Sequence, residues 1–232
     1  MADYDYKEGR DYSLATNCPE TRFGILLSQL GSKFIACQRD YVRCFLHEDA
    51  AQDLGYFYNE RANIGFLAAA AWRQRGWVAI EEFVCDKRDR IEKGKFARGR
   101  ADLYVGVRSD RKVTSISIEA KQCYVQNGSS LRAALDLKQP KSALSRAVAD
   151  ARHGVDADHQ CAAVFVCETL RYNQHYERHD QEISEAFYET CSGFGMPWVA
   201  FAYFPREQYA WEKDNRGVER RYPAVGVVIV KL

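Results

Sequence analysis

Residues 101–121 read ADLYVGVRSDRKVTSISIEAK, and the fold turns on how this stretch is read. Ala101 to Val107 and Val113 to Ala120 are rich in β-branched and aromatic residues, and the polar turn Arg108-Ser109-Asp110-Arg111-Lys112 separates them. Such a pattern predicts two antiparallel strands joined as a hairpin. Val113, Ser115, Ser117 and Glu119 alternate with Thr114, Ile116, Ile118 and Ala120, so the two sets face opposite sides of a sheet. Asp102 opens the first strand, and Glu119 and Lys121 close the second on one face. Hairpin pairing can bring Asp102 beside them. Two close carboxylates repel each other unless a cation lies between them, and a hard divalent ion with oxygen ligands, Mg²⁺, is the expected partner.

Outward from the hairpin, apolar residues at Leu54, Phe57, Ile64, Leu67 and Trp72 predict a long helix over Gln52 to Arg75, with Gly76 at its C-terminal end. A strand is expected at Trp77 to Cys85 and a helix at Ser130 to Arg152, with a weak point at Pro140. The continuous apolar run Cys161 to Cys167 is of the buried, parallel-strand kind. A helix over Glu177 to Thr190 and strands at Trp198 to Phe204 and Ala224 to Val230 follow. Thr21 to Phe34 has helical spacing, so residues 1–51 read as an N-terminal helical extension packed on a core of 52–232. The class is α/β with a mixed sheet.

The chain has 232 residues, 47% hydrophobic and 28% charged, with 33 Lys+Arg against 32 Asp+Glu and a net charge of +1. That composition excludes a disordered chain and argues against a purely electrostatic nucleic-acid coat. The opening residues lack the basic start and apolar run of a secretory signal, and no apolar stretch approaches the roughly 20 residues of a membrane span. Eight cysteines without a CxxC pair suit a reducing compartment, so a cytoplasmic location is expected. Cys161, Cys167, His175 and His179 lack knuckle spacing, and core cysteines are preferred to a zinc site.

Charge is unevenly placed. Asp86 to Arg100 holds seven Lys or Arg against three acids, a local balance of +4. Lys93, Lys95, Arg98 and Arg100 could hold phosphates beside the Asp102 strand, or this could be a solvated loop. Arg132, Lys138, Lys141 and Arg146 form a second basic group on the following helix, with Lys138 and Lys141 near one face, either a second nucleic-acid-binding side of the same groove or the helix's solvent face.

The motif Asp102, then Glu119-Ala120-Lys121, resembles that of the PD-(D/E)XK nuclease superfamily, the restriction-endonuclease-like fold. Its order of helix, three strands, helix and strand matches residues 52–169. The resemblance implies a Mg²⁺-dependent endonuclease acting on DNA, with Mn²⁺ able to substitute and RNA left open. Asp102, Glu119 and the Ala120 carbonyl would hold the ion, Lys121 would be the catalytic lysine, and Glu60 on the preceding helix a direct or water-mediated ligand. Gln122 follows the lysine at a position that is polar in several members. Ala101 stands where many members have proline, and Ala143 breaks the Gln-x-x-x-Tyr of RecB-type members. Restriction, defence, repair and mobile-element processing are compatible settings, with a larger nuclease or defence complex a candidate partner. Double-strand cutting would call for a homodimer or repeated encounters, and Val225 to Val230 is either one candidate interface or simply core. The competing expectations are a non-catalytic nucleic-acid-binding or assembly subunit on the same fold, and an Asp102 that merely caps a hairpin beside a solvated strand end.

Overall fold

A computed structural model of the chain describes residues 5–9, 11–44, 55–88, 96–110, 112–126, 128–154, 157–171, 185–204, 210–213 and 219–232. The elements in chain order are β1 (Asp5–Glu8), β2 (Tyr12–Thr16), α1 (Arg22–Cys44), α2 (Gly55–Tyr58), α3 (Glu60–Trp72), β3 (Trp77–Arg88), β4 (Phe96–Ser109) and β5 (Lys112–Val125). After them come α4 (Gly128–Leu135), α5 (Ala143–Ala151), β6 (His159–Glu168), β7 (Leu170–Arg171), β8 (Trp198–Tyr203), β9 (Ala210–Lys213), β10 (Glu219–Tyr222) and β11 (Val225–Lys231). Residues 185–192 are also helical. Among the described residues no helix is long and apolar enough to cross a membrane.

The main sheet runs β1-β2-β8-β11-β6-β5-β4-β3, and β7-β10-β9 form a small second sheet. Only β5 and β6 pair in parallel, and every other described pairing is antiparallel. Helices cover the main sheet on both faces. One core joins α1 and α3 to Leu103, Val105, Ile116, Ile118, Ala163 and Phe165; the other joins α4, α5 and helix 185–192 to Ala162, Val164, Val166, Trp198 and Val228. Alternate residues of β6 therefore feed two different cores, which is why its sequence is apolar without a break. Among the described residues β3 and β4 are covered by helix on the α3 side only, and Val78, Ile80 and Val84 are exposed on the other face.

Local chemistry sets several boundaries where sequence periodicity misses them. The helix expected over Gln52 to Arg75 is interrupted at Asn59, whose extended backbone and side chain, accepting from Ala62 N, cap a new helix. An Asn side chain satisfies first-turn amides better than it continues a helix. Glu60 consequently opens α3 instead of lying mid-helix. Gly76, with φ +81°, turns the chain into β3 in a conformation costly for other residues. The helix expected over Ser130 to Arg152 splits around Pro140, and Ser142 caps α5 by accepting from Ser145 N at 3.0 Å. Lys138 and Lys141 thus sit exposed on the connecting turn, not on one helix face.

Residues 1–51 contribute more than helix. β1 and β2 extend the main sheet beside β8, and α1 lies in its larger core. The Val225 to Val230 segment is no interface: β11 lies between β8 and β6, with Val227, Val228, Ile229 and Val230 fully buried. Cys161 and Cys167 are also fully buried, and burial pushes both thiols up, as befits core residues. His175 and His179 lie outside the described residues, as does the first part of the helix expected from Glu177.

Candidate active site

The hairpin forms as expected, with Ser109 paired to Lys112 around Asp110, whose φ is +50°. Its ladder runs inward to Leu103↔Ile118 and ends there. Continuing the register, Asp102 and Glu119 would be the next pair, on the sheet face opposite the Leu103 and Ile118 side chains. β4 instead parts from β5. Oδ2 of Asp102 accepts Ala120 N at 2.7 Å, and Oε2 of Glu60, reaching across from α3, accepts Gln122 N at 3.0 Å. Amides two apart on a strand point to the same edge. Two carboxylates, one from the neighbouring strand and one from the opposite helix layer, thus cover the edge of β5 beyond its last ladder pair.

Lys121 is drawn to the same place. Its Nζ donates to Ala120 O at 2.8 Å and lies 3.1 Å from Oδ2 of Asp150 on α5. Glu119 is buried at 5% exposure, on the same strand face as Lys121. Partial burial raises the Glu60 carboxyl above its ordinary 4.5; Lys121, the Gln122 N–H and Arg146 pull it down, and Asp102 pushes it up. These couplings place Glu60, Asp102, Lys121 and Arg146 in one electrostatic neighbourhood. Gln122 extends it: Asn63 Nδ2 donates to Gln122 Oε1 at 2.9 Å, Gln122 Nε2 to Tyr124 OH at 2.9 Å, and Tyr124 OH to Phe57 O at 2.8 Å.

A second break faces the first. Glu81↔Leu103 and Phe83↔Ala101 pair, but Glu82, opposite Asp102, has φ +52° and leaves the ladder. Its carboxylate bridges Arg61, beside Glu60, at 3.0 Å and Arg100, two residues before Asp102, at 3.2 Å. Of the residues expected to hold phosphates, Arg98 and Arg100 are exposed at the start of this strand. Lys93 and Lys95 lie outside the described residues. Asp150, Arg61 and Glu82 escape a motif search, although Arg146 and Asp150 have the i,i+4 spacing of one helix face and Arg61 adjoins Glu60.

The donors suit a hard cation in kind. The second oxygens, Asp102 Oδ1 and Glu60 Oε1, make no hydrogen bond among the described residues, and the Ala120 carbonyl accepts Lys121 Nζ. With Glu119 these are all-oxygen donors, as Mg²⁺ prefers. They approach from the two sides of the sheet, and among the described residues no three His, Cys, Asp or Glu groups are gathered to hold an ion. Compared with protein-family models, curated proteins and solved structures, the chain matches none.

Proposed function

We propose that this chain is a Mg²⁺-dependent nuclease that hydrolyses phosphodiester bonds in DNA, on a restriction-endonuclease-like core. The observation behind this reading is the pair of carboxylates at the broken β4–β5 edge, each with one oxygen fixed by a strand amide, next to Lys121. Asp102, Glu119, Ala120 O and Glu60 would hold the ion, with Mn²⁺ able to replace it. A bound divalent ion polarises a phosphoryl oxygen and lowers the pKa of its water.

The remaining work falls to side chains. The strand amides of Ala120 and Gln122 fix the aim of Asp102 and Glu60. The Lys121 ammonium offsets negative charge developing on the phosphoryl group, and Asp150 orients that ammonium. Arg61 and Arg100 flank the carboxylates as phosphate contacts. Cutting both strands of a duplex requires two such sites, hence a homodimer or successive encounters.

Cleavage of plasmid DNA in Mg²⁺ tests the assignment. Asp102→Ala and Lys121→Ala should each reduce it by on the order of a hundredfold or more while leaving the thermal transition intact. Undiminished cleavage by either variant would sink the proposal, and cleavage of RNA alone would change the substrate. The engagement of Lys121 with Asp150 favours a second reading, a non-catalytic nucleic-acid-binding subunit in which the ion pair is structural. DNA binding without Mn²⁺ binding in calorimetry would select it.

A further inference from the structure

Far from the carboxylates, at the opposite end of β5, four basic side chains from four elements line one recess of about 400 Å³. Arg22 belongs to the first turn of α1, Lys112 opens β5, His159 opens β6 and Lys231 ends β11. Nine residues of extended chain, about 30 Å, separate Lys112 from Lys121.

Such a gathering repels itself unless something negative is close. Among the described residues none of Arg22, Lys112 and Lys231 forms a salt bridge. Among the described residues the Arg22 guanidinium donates only to Ser109 Oγ, at 3.1 Å, and Lys231 Nζ lies 5.8 Å from the centre of the Phe23 ring. The one carboxylate in the lining, Asp158, is committed elsewhere: its Oδ2 accepts Ser115 N at 2.8 Å and Ser115 Oγ at 2.9 Å. That local clamp joins the starts of β5 and β6. It removes one unit of charge from the recess and leaves an excess of two with His159 neutral. Thr114 adds a hydroxyl to the lining.

We infer that this recess binds a phosphate monoester, the dianionic end of a small phosphorylated ligand. The charge excess matches a dianion rather than the single charge of a backbone phosphodiester, and the volume is that of a small-molecule site, roughly 300–1,000 Å³, not of a duplex groove.

Calorimetric titration of the full chain with inorganic phosphate at about pH 7.5 and fixed ionic strength tests the site. One phosphate per chain is expected, with affinity about tenfold weaker in Lys112→Gln and again in Lys231→Gln. Lys112 is exposed, so that variant keeps its fold, which an unchanged melting temperature verifies. Phosphate binding no stronger than that of chloride, or equal in parent and variants, overturns the inference. So does displacement of phosphate by a DNA duplex lacking terminal phosphates, which would make the recess a nucleic-acid contact instead.

Discussion

The Lys121 ammonium lies 3.1 Å from Oδ2 of Asp150, so the lysine of the Glu-x-Lys motif is steered by a carboxylate on the far side of a helix–strand contact. Both groups are about one-quarter exposed, so the pair is only partly screened by solvent. If Asp150 acts through Lys121, Asp150→Asn should lower cleavage about tenfold and Lys121→Ala much more. The double variant should then be no worse than Lys121→Ala alone, because residues acting as a unit are not additive. Initial rates on plasmid DNA decide it. Losses that simply multiply in the double variant would show that Asp150 has no positioning role.

Glu60 links the site to pH. Its carboxyl is raised, chiefly by burial, so between the ordinary value of 4.5 and the raised folded value the folded chain holds a proton that the unfolded chain has lost. Stability therefore falls as pH rises through that window, and ionised Glu60 is a net cost at neutral pH. Glu60→Gln keeps an oxygen to accept Gln122 N. Its melting temperature should exceed the parent's at about pH 7, and the gap should close below about pH 4. A gap of constant size across a pH series would contradict the assignment to this carboxyl.

How much of this could be read beforehand depends on where each interaction is encoded. The β4–β5 hairpin was legible because alternation and turn chemistry are both local, and β6 because each of its faces enters a core, Cys161, Ala163 and Phe165 on one side, Ala162, Val164 and Val166 on the other. β1 and β2 were not legible: DYKE and YSLAT are short, and β2 is held by β8, nearly two hundred residues later. At Asn59 a capping side chain outweighed a helical rhythm that continued on both sides of it. That Asp102 and the Glu119–Lys121 pair lie on neighbouring strands followed from hairpin geometry, although the ladder stops one pair short of joining Asp102 to Glu119. The amides that fix Asp102 and Glu60 did not, since they are freed only where two strands part. Asp150 and Glu82 were hidden for the same reason: their partners lie on other elements.

Glu82 combines a left-handed backbone with two arginine contacts, and these can be separated by substitution. A non-glycine residue in that conformation costs about 1–2 kcal/mol, whereas exposed ion pairs contribute about 0–1 kcal/mol each. Glu82→Gly relieves the strain and frees Arg61 and Arg100, while Glu82→Ala frees the arginines but keeps the strain. Both variants should bind DNA several-fold more tightly with a steeper salt dependence, by about one to two phosphates. The glycine variant should be the more stable by about 1 kcal/mol. Weaker DNA binding by both would mean that Glu82 presents the arginines instead of restraining them.

Asn63 holds the far end of the site together from inside the core. It is fully buried, and its Nδ2 reaches both Tyr56 O and Gln122 Oε1 at 2.9 Å, tying α2 and α3 to β5. Leaving buried partners without a donor costs about 1–3 kcal/mol. Asn63→Ala should therefore lower the melting temperature by about 2–12 °C, at roughly 2–4 °C per kcal/mol for a chain of this size. Gln122→Ala removes only the acceptor and a link to the half-exposed Tyr124 ring, so it should cost less than half as much. If Gln122 serves the candidate site, its loss should still reduce cleavage more than its stability effect explains. Compared at a temperature where both variants are fully folded, Gln122→Ala should be the slower enzyme and Asn63→Ala the less stable protein. The reverse order would assign the amide chain to packing alone.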